Sequence, residues 1–173
     1  GIVYFPNGTY LIAGSIGASN SQLYIPISVA SNPDRNHITL LGESKPNMIP
    51  TSGGLVAGSP LPLANKTVIL KSGLTTYSGS KNSIIGTSGS FNETFLSVEN
   101  IALQVIANPS GAGPVTGGIN YSNGSSLQCR NVTVYIDGPA YNSVLPTNNL
   151  SGIETPDNNS ETFNTIENTL VVG

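Results

Sequence analysis

Nine carboxylates and one histidine are all the chain offers for acid–base chemistry in its 173 residues. Glycosidic cleavage uses two carboxylates that face one cleft, about 5–9.5 Å apart. The densest local group is Asp137, Glu154, Asp157 and Glu161, and Asp137, Glu154 and Asp157 are its candidate catalytic residues. The plainer reading is that these are solvated turn carboxylates, because Asp137-Gly138 and Pro156-Asp157-Asn158 are ordinary turn signals. His37 sits in the polar stretch Asp34-Arg35-Asn36-His37 and reads as a solvated turn residue rather than a base or ligand. No metal site is expected. Cys129 stands alone, which excludes an internal disulfide and a cysteine-rich metal centre.

Binding chemistry has better raw material than catalysis. Tyr121, Tyr135 and Tyr141 are candidate carbohydrate contacts, since a phenol ring presents a flat apolar face and a hydroxyl. Tyr121 and Tyr135 are expected at outward positions of their strands. Equally, aromatic residues are ordinary strand formers. Asn-x-Ser/Thr acceptors for N-glycosylation occur at Asn7, Asn65, Asn92, Asn120, Asn123, Asn131, Asn149 and Asn158. Asn-rich turns generate such triplets by composition alone, and Asn131 is the least accessible by its place in the pattern described below.

Charged residues make up only 9% of the chain, against roughly 25% in an ordinary soluble domain. Asn, Ser, Thr and Gly take their place, while clusters of Ile, Val and Leu exclude a disordered chain. These polar residues compete with helical backbone bonds and favour turns, so the mixture suits many short strands joined by tight turns. Six scattered Lys and Arg in a chain of net charge −3 argue against nucleic acid as a partner. No apolar run approaches the ~18 residues of a spanning helix, so membrane insertion is not expected.

Three segments align on an asparagine: Phe95 to Leu103 on Asn100, Ser126 to Val134 on Asn131, and Phe163 to Val171 on Asn168. Apolar residues fall two before and three after each one: Val98 and Leu103, Cys129 and Val134, Ile166 and Val171. The spacing reverses parity across the asparagine, which a straight strand cannot do. The backbone must bend there, in the left-handed conformation that Asn tolerates. Each repeat is therefore strand, Asn corner, strand, preceded by Ser83–Gly86, Gly117–Tyr121 or Ser151–Glu154 as a further strand. Spacings of 31 and 37 residues fit stacked coils with insertions at one corner. Insertions are expected near 43–64, 108–116 and 137–150. In the first half, Asn36 to Gly42 echoes the Asn-corner pattern. An antiparallel sandwich is the rival, but it requires no Asn at each parity switch.

Gly1 to Ile12 (GIVYFPNGTYLI) resembles the "GGxVYFPxGTY" signature of the pectate-lyase-like superfamily. Ile38-Thr39-Leu40-Leu41-Gly42-Glu43 is similar to that family's "ITLxGxG" segment, and Asn131 to Val134 to its "NVTV" strands. The resemblance implies an all-β right-handed parallel β-helix, one domain over 1–173. It implies an extracellular, cell-surface or virion setting, as in polysaccharide lyases, hydrolases, epimerases and phage tailspikes. The partner implied is a polysaccharide or cell-surface glycan, with a homo-oligomer (a trimer) or further coils completing the fold. If the protein is an enzyme, it is a polysaccharide hydrolase or lyase. Lyase chemistry in that family would use calcium-binding aspartates, yet no run of alternating Asp occurs, and calcium is not indicated. The alternative is a structural or adhesive surface protein without catalysis. The chain opens and closes within strand patterns, so a piece of a longer protein is expected.

Overall fold

Short stretches that draw on β-branched and aliphatic residues, bounded by turns rich in Asn, Gly, Pro and Ser, become the strands. The computed structural model describes residues 1–12, 21–26, 37–46, 66–74, 83–88, 95–107, 115–121, 126–137, 150–155 and 163–172. They contain β1 (Ile2–Phe5), β2 (Gly8–Ile12), β3 (Ser21–Pro26), β4 (His37–Gly42), β5 (Thr67–Leu74), β6 (Ser83–Ser88) and β7 (Phe95–Glu99). There follow β8 (Ala102–Ala107), β9 (Val115–Asn120), β10 (Ser126–Arg130), β11 (Thr133–Asp137), β12 (Leu150–Glu154), β13 (Thr165–Glu167) and β14 (Leu170–Val172). No helix occurs among the described residues.

The strands form three sheets, ordered β1-β4-β7-β10-β13, β14-β11-β8-β5-β2 and β12-β9-β6-β3. Every pairing is parallel. That excludes the antiparallel sandwich. The chain visits the three sheets in a fixed cyclic order, so each strand pairs with its counterparts one circuit earlier and later.

The register stacks like on like. Val3, Leu40, Val98, Cys129 and Ile166 form one column of the first sheet. In the second sheet Tyr10, Ile69, Leu103, Val134 and Val171 do the same. Ile85, Ile119 and Ile153 line up in the third. The central members of all three columns meet in one hydrophobic core. Burial is complete at Val98, Cys129, Val134 and Ile119, whereas Val3 and Ile166 are about half exposed at 48% and 50%. Each of those two has a register partner on one side only.

The parity switch is where the repeat placed it. Asn100, Asn131 and Asn168 have φ of 57°, 55° and 46°, the left-handed region. Asn131 Nδ2 donates to Asn100 Oδ1 at 2.9 Å, one circuit away. Backbone bonds run alongside, from Asn100 N to Arg130 O (3.0 Å) and from Asn131 N to Glu167 O (3.1 Å). Leu96, Val98, Ile101 and Leu103 all turn inward, as do Leu127, Cys129, Val132 and Val134.

The first half departs from the expected pattern in one respect. β4 lies beside β7 with Leu41 opposite Glu99, so Gly42, not Asn36, stands level with Asn100, as the last residue of β4 and without the left-handed φ of the corner asparagines. A side chain there would run into the Asn100 carbonyl, which is why a glycine fits. Asn36 itself lies outside the described residues. Strand ends are described at the margins of two of the expected insertions, whose other residues lie outside the described ones. Val115 and Thr116 already belong to β9, Asp137 closes β11 and Leu150 opens β12.

Candidate functional site

Alternation along β4, β7, β10 and β13 turns every second residue away from the core, onto the outer face of the first sheet. Because the pairing is in register, these residues form columns about 4.8 Å apart per strand. The column nearest the Asn corner is Tyr4, Leu41, Glu99, Arg130 and Glu167. Next to it run Ile2, Thr39, Ser97, Gln128 and Thr165. At the strand starts stand His37, Phe95 and Ser126, with Phe163 bonded beside Ser126 through its backbone N–H (3.3 Å to Oγ).

The three columns differ in chemistry. In the corner column Arg130 Nε donates to Glu167 Oε2 at 3.2 Å, both side chains about half exposed. Ser97 Oγ donates to Glu99 Oε1 at 2.9 Å. Both carboxylates thus accept from a neighbour within the face. From Thr39 onward the middle column carries hydroxyls and a carboxamide, with Thr39 and Gln128 partly exposed, Thr165 exposed and Ser97 buried, while the exposed Ile2 ends it on the first strand. In the starting column the His37 and Phe95 rings meet perpendicularly, centroids 4.4 Å apart and planes at 77°. Phe163 is 77% exposed. Flat aromatic rings therefore stand beside a row of polar groups. Such a face can hold a ligand that is apolar on one side and rich in hydroxyls on the other.

A second polar locus lies at the first circuit's corner. Asn7 N donates to Glu43 Oε2 (2.7 Å), and Asn7 Nδ2 to Ser44 Oγ (3.0 Å). Thr67 Oγ1 lies 3.0 Å from the Phe5 carbonyl and 3.2 Å from that of Pro6, and it accepts from Glu43 N at 3.2 Å. These bonds tie Glu43 and Ser44, just after β4, to the turn between β1 and β2 and to the start of β5. Asn7 Oδ1 is buried without a partner.

The tyrosines expected on the surface are not there. Ile119 points inward, and Tyr121 shares its parity two residues on. Tyr121 accordingly lies fully buried in the main core. Tyr135 does alternate outward from Val134, but it packs on Val68 and Ala102 and is only 5% exposed. Burial raises its phenol pKa. The outer side of the second sheet is buried as well, at Val68, Ala102, Gln104 and Thr133. Parallel strands covered on both faces no longer show which side is solvent. Tyr141 lies outside the described residues.

Asp137 ends β11 opposite Ile106, and Glu154 ends β12 opposite Asn120, so the two occupy different sheets and are not register partners. Asp157 and Glu161 lie outside the described residues. Among the described residues no three His, Cys, Asp or Glu side chains gather as metal ligands. Cys129 is buried, and desolvation pushes its thiol from 9.0 up to about 12, as suits a small core hydrophobe. His37 is exposed and opens a strand rather than occupying a turn.

Among the glycosylation acceptors, Asn7 and Asn120 are partly buried, and the amide nitrogens of Asn7 and Asn131 donate to Ser44 and Asn100. Asn65, Asn92, Asn123, Asn149 and Asn158 lie outside the described residues.

Sequence reasoning missed the aromatic column. The signal was in the repeat, for Phe95, Ser126 and Phe163 each stand five residues before a corner asparagine.

No protein-family model, curated protein or solved structure matches this chain.

Proposed function

We propose that the chain is a right-handed parallel β-helix of the pectate-lyase-like kind whose first sheet presents its outer face to a polysaccharide. An extracellular, cell-surface or virion setting goes with that reading. The cyclic order of the three sheets and their all-parallel pairing support the β-helix, and crossovers between parallel strands are right-handed in about 98% of cases. The observation that carries the function is the in-register row of polar side chains on the outer face, open to solvent at Thr39, Gln128 and Thr165 and closed at the buried Ser97 between them. A surface whose polar groups recur along the stack suits a ligand that repeats along its own length. Binding alone is assigned to this face. Hydrolase or lyase chemistry at Asp137 and Glu154 is a separate proposal, tested by release of reducing ends or unsaturated products and its loss in Asp137→Asn and Glu154→Gln.

The direct test is affinity electrophoresis of the full chain through gels containing different polysaccharides. At least one should retard it, and the double variant Gln128→Ala/Thr165→Ala should run closer to an unretarded control. Free migration in every gel would remove the proposal. A structural or adhesive role without sugar contact would then be the better reading. It draws on the exposed apolar side chains of the edge strands, Ile2 at 70% and Leu11 at 62%.

A further inference from the structure

We infer that the polysaccharide is a neutral one, held by stacking on the aromatic column and by hydrogen bonds to the hydroxyl and amide column. This rests on the outer face of the first sheet being the contact surface.

Charge is the first ground. The side chains of the corner column bring two carboxylates, Glu99 and Glu167, against one guanidinium, Arg130. That guanidinium already donates to Glu167. A uronate or sulfate group that approached Arg130 would lie between two carboxylates, which repel it. The chain as a whole carries a net charge of −3, so nothing at long range compensates. A polyanion is disfavoured at every distance.

Shape and polarity are the second ground. A neutral pyranose has an apolar C–H face and a rim of hydroxyls. The C–H groups suit the negative face of an aromatic ring. The hydroxyls suit acceptors and donors such as Gln128 and Thr165, one column away. His37 with Phe95, and Phe163 two strand steps further on, stand about 9.6 Å apart along the stack. A chain laid along the stack meets a ring at both places, with the accessible Gln128 and Thr165 of the polar column beside it. Both kinds of contact are uncharged, so the affinity is insensitive to salt.

The test titrates the full chain with dextran, mannan and galactan, and in parallel with polygalacturonate and alginate, at low salt and at about 1 M NaCl. A neutral polymer should bind, with its affinity changed less than about twofold by salt. Phe163→Ala should weaken it about tenfold, and His37→Ala should weaken it as well. Phe163 is exposed, so its removal leaves the fold intact, which circular dichroism verifies. Binding of the acidic polymers alone, abolished by salt, overturns the neutral class while leaving the face as a polysaccharide site. Neutral binding that ignores both ring substitutions overturns the stacking assignment. Binding of no polymer at all overturns the proposed function together with this inference.

Discussion

Asn131 holds φ at 55° and passes its side-chain amide to Asn100 one circuit away. An alanine there would keep the strained backbone, a cost of order 1–2 kcal/mol for an ordinary L-residue, and would lose a hydrogen bond worth about 1 kcal/mol. Glycine would lose the bond but relieve the strain. Asn131→Ala should therefore lower unfolding free energy by about 2 kcal/mol and Asn131→Gly by about 1, read from urea midpoints at constant m. Equal losses would show that the left-handed corner carries no strain. Cys129 supplies a pH test. Its folded thiol pKa, about 12, exceeds the ordinary 9.0, so above pH 9 the unfolded chain releases a proton that the folded chain keeps. The contribution is whole below pH 9 and is lost as pH climbs towards 12. Between pH 8 and 10.5 the wild type should lose more stability than Cys129→Ala, and parallel curves would contradict this.

Within the sheets, close approach rather than charge decides what is tolerated. A Cβ on Gly118 would press on the Gly152 carbonyl and on both Val134 methyls, so the third sheet can lie against the second only with glycine at that point. Gly118→Ala should cost about 1–3 kcal/mol, and a melting temperature unchanged from wild type would refute the tight approach. The charged column of the first sheet is the opposite case. Arg130 and Glu167 form an ion pair with both side chains about half in solvent. Arg130→Ala should change stability by less than about 1 kcal/mol, since exposed pairs are screened by water and salt. A larger loss in denaturant unfolding would mean that the guanidinium stem packs more tightly than its exposure indicates.

Across the molecule, protection should follow position in the stack. Strands β4 to β11 have parallel neighbours on both sides, and the fully buried strand residues of the core lie on β5 to β11. The edge strands β1, β2, β3, β12, β13 and β14 have a neighbour on one side, and Ile2, Leu11, Ile166 and Val171 are exposed there. Native-state hydrogen exchange should accordingly be slowest for amides such as those of Leu103 and Val134 and fastest in the edge strands. Uniform protection along the stack would mean that the circuits open only together.

Much of this was legible from residue types alone. Side-chain alternation is strict, so the reversal of apolar parity at Asn100, Asn131 and Asn168 demanded a corner, and the three copies implied that the corners stack. Local geometry determined both, and Cys129 inherited its burial from the same column. The inward face of the first sheet followed with it. What tertiary structure alone decided was which outward positions meet solvent. Parity places Tyr135 outward, yet the outer side of the second sheet is covered, and Tyr121 follows Ile119 into the core. In the first half a glycine, Gly42, stands level with Asn100 because the Asn100 backbone of the neighbouring circuit leaves no room for a side chain. Alternation is a property of one strand, whereas cover and clearance belong to pairs of strands brought together from circuits 31 or more residues apart.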